Sequence, residues 1–560
     1  MKQHYVMPVG VDDFKRVREE YYYVDKTDFI KALIDGHAQA TLLTRPRRFG
    51  KTLAMSMLYY FFTLENAREN RRLFEGCKIE RAGEKYMALQ GTRPVIFLIL
   101  KDIKQATFPE MLKSFSTVMQ EAYRAHAYLQ KGDLLDEYEK DYFKTIMSRQ
   151  ADSVDLQISL KNLMVWLQRY HQKPVVVLMD EYDAPIQTAW DYGYYDQAII
   201  FMRNYMSNAL KSNQSLDFAV ITGVLRIVKE SIFSSLNNLD VSSVASGAHA
   251  DAVGFTHDEI AGIAADWGCQ KKMDQIKEWY DGYNFVGQEI YNPWSVISYF
   301  RHNCRPDTYW VNTSGNTILR HLLENASREQ SEQLTALIHG KKIGTVLNEG
   351  VIYRDIYKNT SALNTLLLTT GYLTMVDYPV PGELVKDCTL RIPNKEVRVL
   401  FQQEIMKYLE SSISCPDLLI QLAKALLSGD TAAFAEGLET FLRRMASFYD
   451  TANRESFYHG LVLGLLAVLL PKYEVVSNRE SGCGRFDLAI YPAKGQDTGV
   501  IMEFKVADSE ASLEEKAREA LSQIEEKDYL AEFTQRGVGS VWQYGISFWG
   551  KKCHVSAKAS

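Results

Sequence analysis

The sequence predicts an α/β fold in three parts. These are a parallel-sheet domain over residues 1–265, a mainly helical middle region over 266–450 and a smaller α/β/α domain over 451–560. Three observations carry this. In the first part, short apolar runs without polar alternation recur between helical patterns, as expected of strands covered on both faces. From Thr256 to Tyr378 such runs become scarce and helical spacing takes over. In the last part the order is helix, three strands, helix, strand. Apolar residues make up 46% of the 560 and charged residues 24%, which excludes disordered, collagen-like and coiled-coil chains.

The elements follow in order. Ala40–Thr44 is an apolar run, succeeded by a basic turn and the helical pattern Leu53–Phe62. Pro94–Leu100, Pro174–Met179 and Phe218–Thr222 are further strand-like runs with helical stretches between them. Such repetition requires right-handed crossovers and therefore a mostly parallel sheet. In the middle, helical segments are read at Ile318–Leu323, Glu329–Ile338 and along Val397–Tyr449. Two aromatic turn clusters, Tyr280-Asp281-Gly282-Tyr283-Asn284-Phe285 and Tyr291-Asn292-Pro293-Trp294, are expected to pin this region to its neighbour. The end reads as helix 456–470, strands 473–478, 485–491 and 500–506, helix 510–530 and a strand-like tail 538–548.

Asp and Glu number 70 against 64 Lys and Arg, a net charge of −6. That balance disfavours a protein that coats nucleic acid through its overall charge, and leaves a local groove open. The seven cysteines form no CxxC pair and are odd in number, which argues against a zinc ribbon or a disulfide framework and fits a reducing compartment. No apolar stretch follows Met1, so no signal peptide is read. The longest apolar run, Leu461–Leu470, is about half of a bilayer span. The expectation is a cytoplasmic protein without a membrane segment.

Arg45-Pro46-Arg47-Arg48-Phe49-Gly50-Lys51-Thr52 lies between a strand and a helix. A phosphate-binding loop needs that placement, because backbone N–H groups and the helix N-terminus cradle the phosphates. Lys51 then reaches the terminal phosphates and Thr52 holds Mg²⁺. The first glycine of GxxxxGK[ST] falls at Arg45, so the match is incomplete, and a solvated basic turn has similar letters. Asp180-Glu181, ending the run Val175–Met179, adds the second half. Asp180 is placed to support Mg²⁺ and Glu181 to orient the attacking water. Thr222 ends the next strand, where a polar side chain sensing the terminal phosphate belongs. Arg226 and Lys229 after it read more simply as surface charges.

A second constellation stands near the end. Arg485-Phe486-Asp487 leads into a strand, and Val500-Ile501-Met502-Glu503-Phe504-Lys505 follows a hairpin loop. Alternation puts Glu503 and Lys505 on one face, and an antiparallel return brings Asp487 beside Glu503. Two hard carboxylates and a lysine suit Mg²⁺-dependent phosphodiester hydrolysis, although a solvated Glu–Lys pair has the same spacing. Glu455, opening the Phe457–Leu470 helical pattern, is either a further metal ligand or a carboxylate placed for the helix dipole. Gln523 and Tyr529 sit among Glu514, Glu515, Lys516, Glu525 and Glu526, a solvated face by default. Residues 451–560 hold 13 Lys and Arg against 15 Asp and Glu, unlike a generic nucleic-acid surface.

Tyr23-Val24-Asp25-Lys26-Thr27, the loop 45–52, Asp180-Glu181-Tyr182-Asp183, Thr222-Gly223-Val224, Gly254-Phe255-Thr256 and Tyr280-Asp281-Gly282-Tyr283 resemble the bacterial AAA-ATPase-like family. Arg454-Glu455-Ser456-Phe457-Tyr458-His459-Gly460, Ser477–Gly482, Arg485-Phe486-Asp487 and Glu503-Phe504-Lys505 resemble the PD-(D/E)XK nuclease-superfamily domain that follows it in such proteins. The resemblance implies a P-loop NTPase domain joined to a restriction-endonuclease-like domain. In that family Arg-Pro-Arg-Arg regularly replaces the glycine-led segment. Carried over by position, ATP binding falls to Arg47, Arg48, Gly50, Lys51, Thr52, Asp180 and Thr222, with Glu181 catalytic. Asp487, Glu503 and Lys505 form the nuclease core, with Glu455 as the helix-borne acid. The reading is therefore an ATPase (a hydrolase) with a Mg²⁺-dependent nuclease domain acting on DNA or RNA. The alternative is a nucleotide-driven switch whose C-terminal domain binds a partner without cutting.

Overall fold

The computed structural model describes residues 6–225, 239–310, 319, 322, 328–338, 340–347, 359–378, 387–413, 417–445, 468–469, 472–481, 484–493, 498–526 and 529–560. It divides into two compact units, one of residues 1–313 and 342–397, the other of 314–341 and 398–560.

The first unit is built on five strands: β1 (Ala40–Thr44), β2 (Val95–Ile99), β3 (Val175–Asp180), β4 (Leu216–Gly223) and β5 (Leu239–Ser242). They pair in the order β2-β3-β4-β1-β5, every pair parallel. β1 and β3 are buried at every position, as runs apolar on both sides must be. The helix Lys51–Phe62 packs on β3, Phe108–Ala125 on β2 and Ser153–His171 on β3. β4 lies between β1 and β3, so its end meets both the loop after β1 and the acids closing β3. β5 escapes the sequence reading because Leu239-Asp240-Val241-Ser242 alternates and is only partly covered.

The rest of this unit is largely helical, with short strands added. β6 (Tyr283–Phe285) and β7 (Gln288–Ile290) form a hairpin turning at Val286 and Gly287, both with positive φ (49° and 93°). That is the turn a two-residue hairpin favours, and valine there gives no turn signal in the sequence. β8 (Ile343–Val346), β9 (Thr374–Asp377) and β10 (Asp387–Arg391) make a small antiparallel sheet. Cys269 and Cys304 are joined as a disulfide, a single bridge rather than the framework that the cysteine spacing argues against. Their 35-residue separation carries no motif.

The second unit contains β11 (Tyr473–Ser481), β12 (Gly484–Pro492), β13 (Gly499–Val506), β14 (Val541–Trp549) and β15 (Lys552–Ala559), paired in that order. Only β13–β14 is parallel, and the helix Leu513–Glu526 makes that crossover. This helix lies against β14 at Gly545, where a Cβ would fall 2.1 Å from Ala517 O. Neighbouring Tyr544 points to the other face. Its hydroxyl donates to Leu426 O at 2.7 Å and its ring meets Phe434. Helices Leu418–Ser428 and Thr431–Met445 therefore form the third layer of an α/β/α sandwich. The helix expected over 456–470 lies, apart from residues 468–469, outside the described residues.

Candidate functional site

The loop after β1 is shaped residue by residue. Gly50 precedes the Lys51–Phe62 helix at φ 89°, a conformation that favours glycine. Phe49 is buried against Tyr283 and Phe285, and its carbonyl accepts Gly254 N–H at 3.0 Å. Arg48, also at positive φ, lays its guanidinium 4.2 Å from the Trp294 ring centre. Arg47 donates to Gln187 Oε1 at 2.8 Å, and its carbonyl accepts Trp310 Nε1–H at 3.2 Å. The aromatic clusters of 280–294 thus sit on the phosphate-loop segment itself.

Lys51 is buried, and its ammonium donates to the carbonyls of Arg45 and Pro46, each at 3.0 Å. Burial pulls its pKa down, opposed by Glu181, Asp180 and Asp183. Asp180 joins two hydroxyls: Thr52 Oγ1 donates to Oδ2 at 2.7 Å, and Thr222 Oγ1 donates to Oδ1. The strand order makes this possible, since Thr222 ends the strand between the other two. Glu181 takes φ 52°, and burial raises its carboxyl pKa, with Lys51 opposing. Asp183 accepts the backbone N–H groups of Val224 and Leu225 at 2.9 and 2.8 Å. At Gly223 a Cβ would lie 2.7 Å from the Tyr182 ring, so this motif requires glycine. Arg226 and Lys229 lie outside the described residues.

By sequence alone Arg45 stands only as a departure from the motif. The structure buries it completely, its guanidinium donating to Thr44 O, Ser242 O, Ser242 Oγ, Ala248 O and His249 O. Apart from the adjacent Thr44, these partners lie about 200 residues away, and nothing in the sequence flanking Arg45 signals them.

In the second unit β12 and β13 pair antiparallel as far as Leu488 opposite Met502. Past that point Asp487 Oδ2 accepts the Phe504 N–H at 2.8 Å, a side chain taking the place of a ladder partner. Glu503 is 5% exposed. Its Oε1 accepts Gln523 Nε2–H, while its Oε2, also buried, has no hydrogen-bond partner among the described residues. Burial, reinforced by the Asp487 charge and opposed by Lys505, pushes the Glu503 carboxyl up to about 7. Lys505 Nζ donates to Gln523 Oε1. Gln523 therefore bridges Glu503 and Lys505, correcting its reading as part of a solvated face. Its charged helix neighbours hid it in the sequence. Lys505 and Gln523 open onto a groove of about 860 Å³ whose other walls include Glu514, Glu515, Glu519 and Glu526, with Arg518 among them.

A cation would suit the unpartnered Glu503 oxygen beside Asp487, a hard donor set of the kind Mg²⁺ takes. Among the described residues no three His, Cys, Asp or Glu side chains gather as a metal site. Glu455, the third expected acid, lies outside them.

Residues 8–233 match the family model of predicted AAA-ATPases, and residues 453–558 match that of the PD-(D/E)XK nuclease superfamily. The chain carries an AAA-ATPase-like domain followed by a PD-(D/E)XK nuclease-superfamily domain. The AAA-ATPase-like match holds the Lys51, Asp180 and Thr222 cluster, and the nuclease-superfamily match holds Asp487, Glu503, Lys505 and Gln523. An uncharacterized protein from the vnfD 5′ region of Azotobacter chroococcum mcd 1 is 27% identical over 558 residues, covering 95% of this chain and 94% of that protein. No solved structure matches significantly. Among the described residues no helix is long and apolar enough to cross a membrane.

Proposed function

We propose that the chain binds and hydrolyses ATP in its first unit and cleaves nucleic-acid phosphodiesters with Mg²⁺ in its second. The observation that carries the first half is the hydrogen-bonded chain Thr52–Asp180–Thr222 beside Lys51. It joins the phosphate loop, the acid and the sensing hydroxyl in one cluster. In this reading Lys51 leaves its carbonyl partners for the terminal phosphates, Arg47 and Arg48 add positive charge, and Glu181 orients water. Thr52 and Asp180 would hold Mg²⁺ there, and Asp487 and Glu503 in the second unit, with Glu455 as a further ligand. Bound Mg²⁺ supplies charge neutralisation and lowers the pKa of water. Lys505, steered by Gln523, offers its ammonium to a phosphate oxygen or to the nucleophile. The chemistry of the site fits DNA and RNA alike, and the setting we infer is the bacterial cytoplasm.

A second reading is favoured by the acidic walls of the groove beside Lys505. They repel a phosphate backbone, and a nucleotide-driven switch binding a partner without cleavage would use such a surface. ATP turnover and Mg²⁺-dependent cleavage, measured on the same preparation with Lys51→Ala and Asp487→Ala beside the unaltered chain, test the proposal. Each variant should lose its own activity. ATP turnover without cleavage of any DNA or RNA would favour the switch.

A further inference from the structure

Arg45 heads the largest fully buried side chains among the described residues. A buried guanidinium ordinarily meets a carboxylate. Among the described residues Arg45 forms no ion pair, and its hydrogen-bond acceptors are all neutral. The charge of Asp251 acts on it without a direct contact, and Nε is buried with no hydrogen-bond partner among those residues. Nη1 donates to Thr44 O at 2.9 Å and Ser242 O at 2.8 Å. Nη2 donates to Ser242 Oγ at 3.1 Å, Ala248 O at 3.1 Å and His249 O at 2.9 Å. The Phe285 ring centre lies 5.0 Å from the guanidinium carbon. The main chain of the same residue is committed as well. Its N–H donates to Gly223 O at 3.2 Å, and its carbonyl accepts Lys51 Nζ–H at 3.0 Å. One residue thereby ties the end of β1 to β4, to β5 and the turn after it, and to the phosphate-loop lysine.

A glycine in this place supplies backbone freedom, at the price of a looser unfolded and unliganded loop. An arginine needs a different way to fix the loop, and the five acceptors provide one. We propose that Arg45 is the positioning residue of the nucleotide site. It anchors the start of the loop to β5 so that the loop backbone keeps Lys51 beside Thr52 and Asp180 when its ammonium turns from the carbonyls of residues 45 and 46 to the phosphates. The arginine is then a functional replacement for the missing glycine, and restoring the glycine harms nucleotide binding. Ser242, nearly 200 residues downstream, becomes part of the nucleotide site through this anchor. Lysine cannot substitute fully, because one ammonium has three donors at a single point and no planar fork.

The inference rests on the ATP reading, and the test separates the two. Mg²⁺-ATP affinity of the full-length chain is measured by titration calorimetry for the unaltered protein, Arg45→Gly, Arg45→Lys, Ser242→Ala and Lys51→Ala, with thermal unfolding of each alongside. Arg45→Gly and Arg45→Lys should bind ATP about tenfold more weakly or worse, roughly the loss of one charge-assisted hydrogen bond. Ser242→Ala, which removes one acceptor of five, should lose less. In Arg45→Lys the weakening should appear in KM while kcat at saturating ATP changes little, because the group touches no reacting atom. A lesion that is merely structural lowers the unfolding temperature without changing the affinity of the folded fraction. Where Arg45→Gly fails to fold, Arg45→Lys and Ser242→Ala decide. Unaltered affinity in folded Arg45→Lys or Arg45→Gly, with Lys51→Ala impaired, overturns the proposal and leaves the ATP site standing. Failure of the unaltered chain to bind ATP removes the ATP reading and this proposal together.

Discussion

Glu396 lies at the start of the helix Lys395–Ile413, buried where its two oxygens accept Trp310 N–H and Ser295 Oγ–H, both at 2.7 Å. Burial pushes this carboxyl from 4.5 up to about 7, the two hydrogen bonds opposing. Between those values the native state keeps a proton that the unfolded chain has released. Stability from this group is thus full below about pH 4.5 and is lost as the pH rises toward 7. Glu396→Gln is neutral throughout and should escape the loss. Relative to it, the unaltered chain should lose about 2–3 kcal/mol of unfolding free energy between pH 5 and 8, measured by denaturant titration. Parallel pH profiles would contradict the assignment. Glu181 gives a second expectation at this scale. Glu181→Gln should bind ATP with little change in affinity and hydrolyse it at least about a hundredfold more slowly, the usual worth of a positioned base. Normal single-turnover hydrolysis would remove Glu181 from that role. Lys51, Thr52, Asp180 and Thr222 were legible because strand, loop and helix order limits where they end up. Arg45 and Gln523 were not, since most partners of Arg45 lie about 200 residues downstream and Gln523 is masked by the charged residues around it on its helix.

At the scale of elements, β1 to β4 were legible because a strand covered on both faces must be apolar throughout. β5 and β15 lie at sheet edges, where Leu239-Asp240-Val241-Ser242 and Lys552–Ala559 mix polar and apolar residues. Edge strands need only one covered side, and that pattern resembles a loop. The hairpin β6–β7 was missed for its three-residue strands and for Val286 at a left-handed turn position. The three-layer packing of the second unit has a sharp consequence at Gly545. A side chain there meets Ala517 O at 2.1 Å and Leu521 N at 2.5 Å, both main-chain atoms that cannot step aside. Gly545→Ala should destabilise this unit by roughly 3 kcal/mol, as overpacking does where backbone must move. Gly539→Ala, with nothing within 4 Å of its new Cβ, should change stability by less than about 0.5 kcal/mol. Equal unfolding midpoints for the two variants would contradict the contact between β14 and the helix Leu513–Glu526.

For the whole molecule, the net charge of −6 and the acid-lined groove make overall electrostatic attraction a poor route to nucleic acid. Recognition has to come from the few groups at the site, which makes the nuclease assignment testable residue by residue. The antiparallel return of β12 on β13 was legible in the sequence. The sequence could not show that the Asp487 carboxylate accepts the Phe504 N–H beyond the Leu488–Met502 pair. The most direct test is cleavage of single- and double-stranded DNA and RNA by the full-length chain with Mg²⁺, with and without ATP. It compares the unaltered protein with Asp487→Ala, Glu503→Ala, Lys505→Ala and Glu480→Ala. Cleavage of at least one substrate is expected, abolished in the first three variants, strongly reduced by chelation and little changed in Glu480→Ala. Cleavage that survives Asp487→Ala and Glu503→Ala, or no cleavage of any substrate while ATP is turned over, would contradict it.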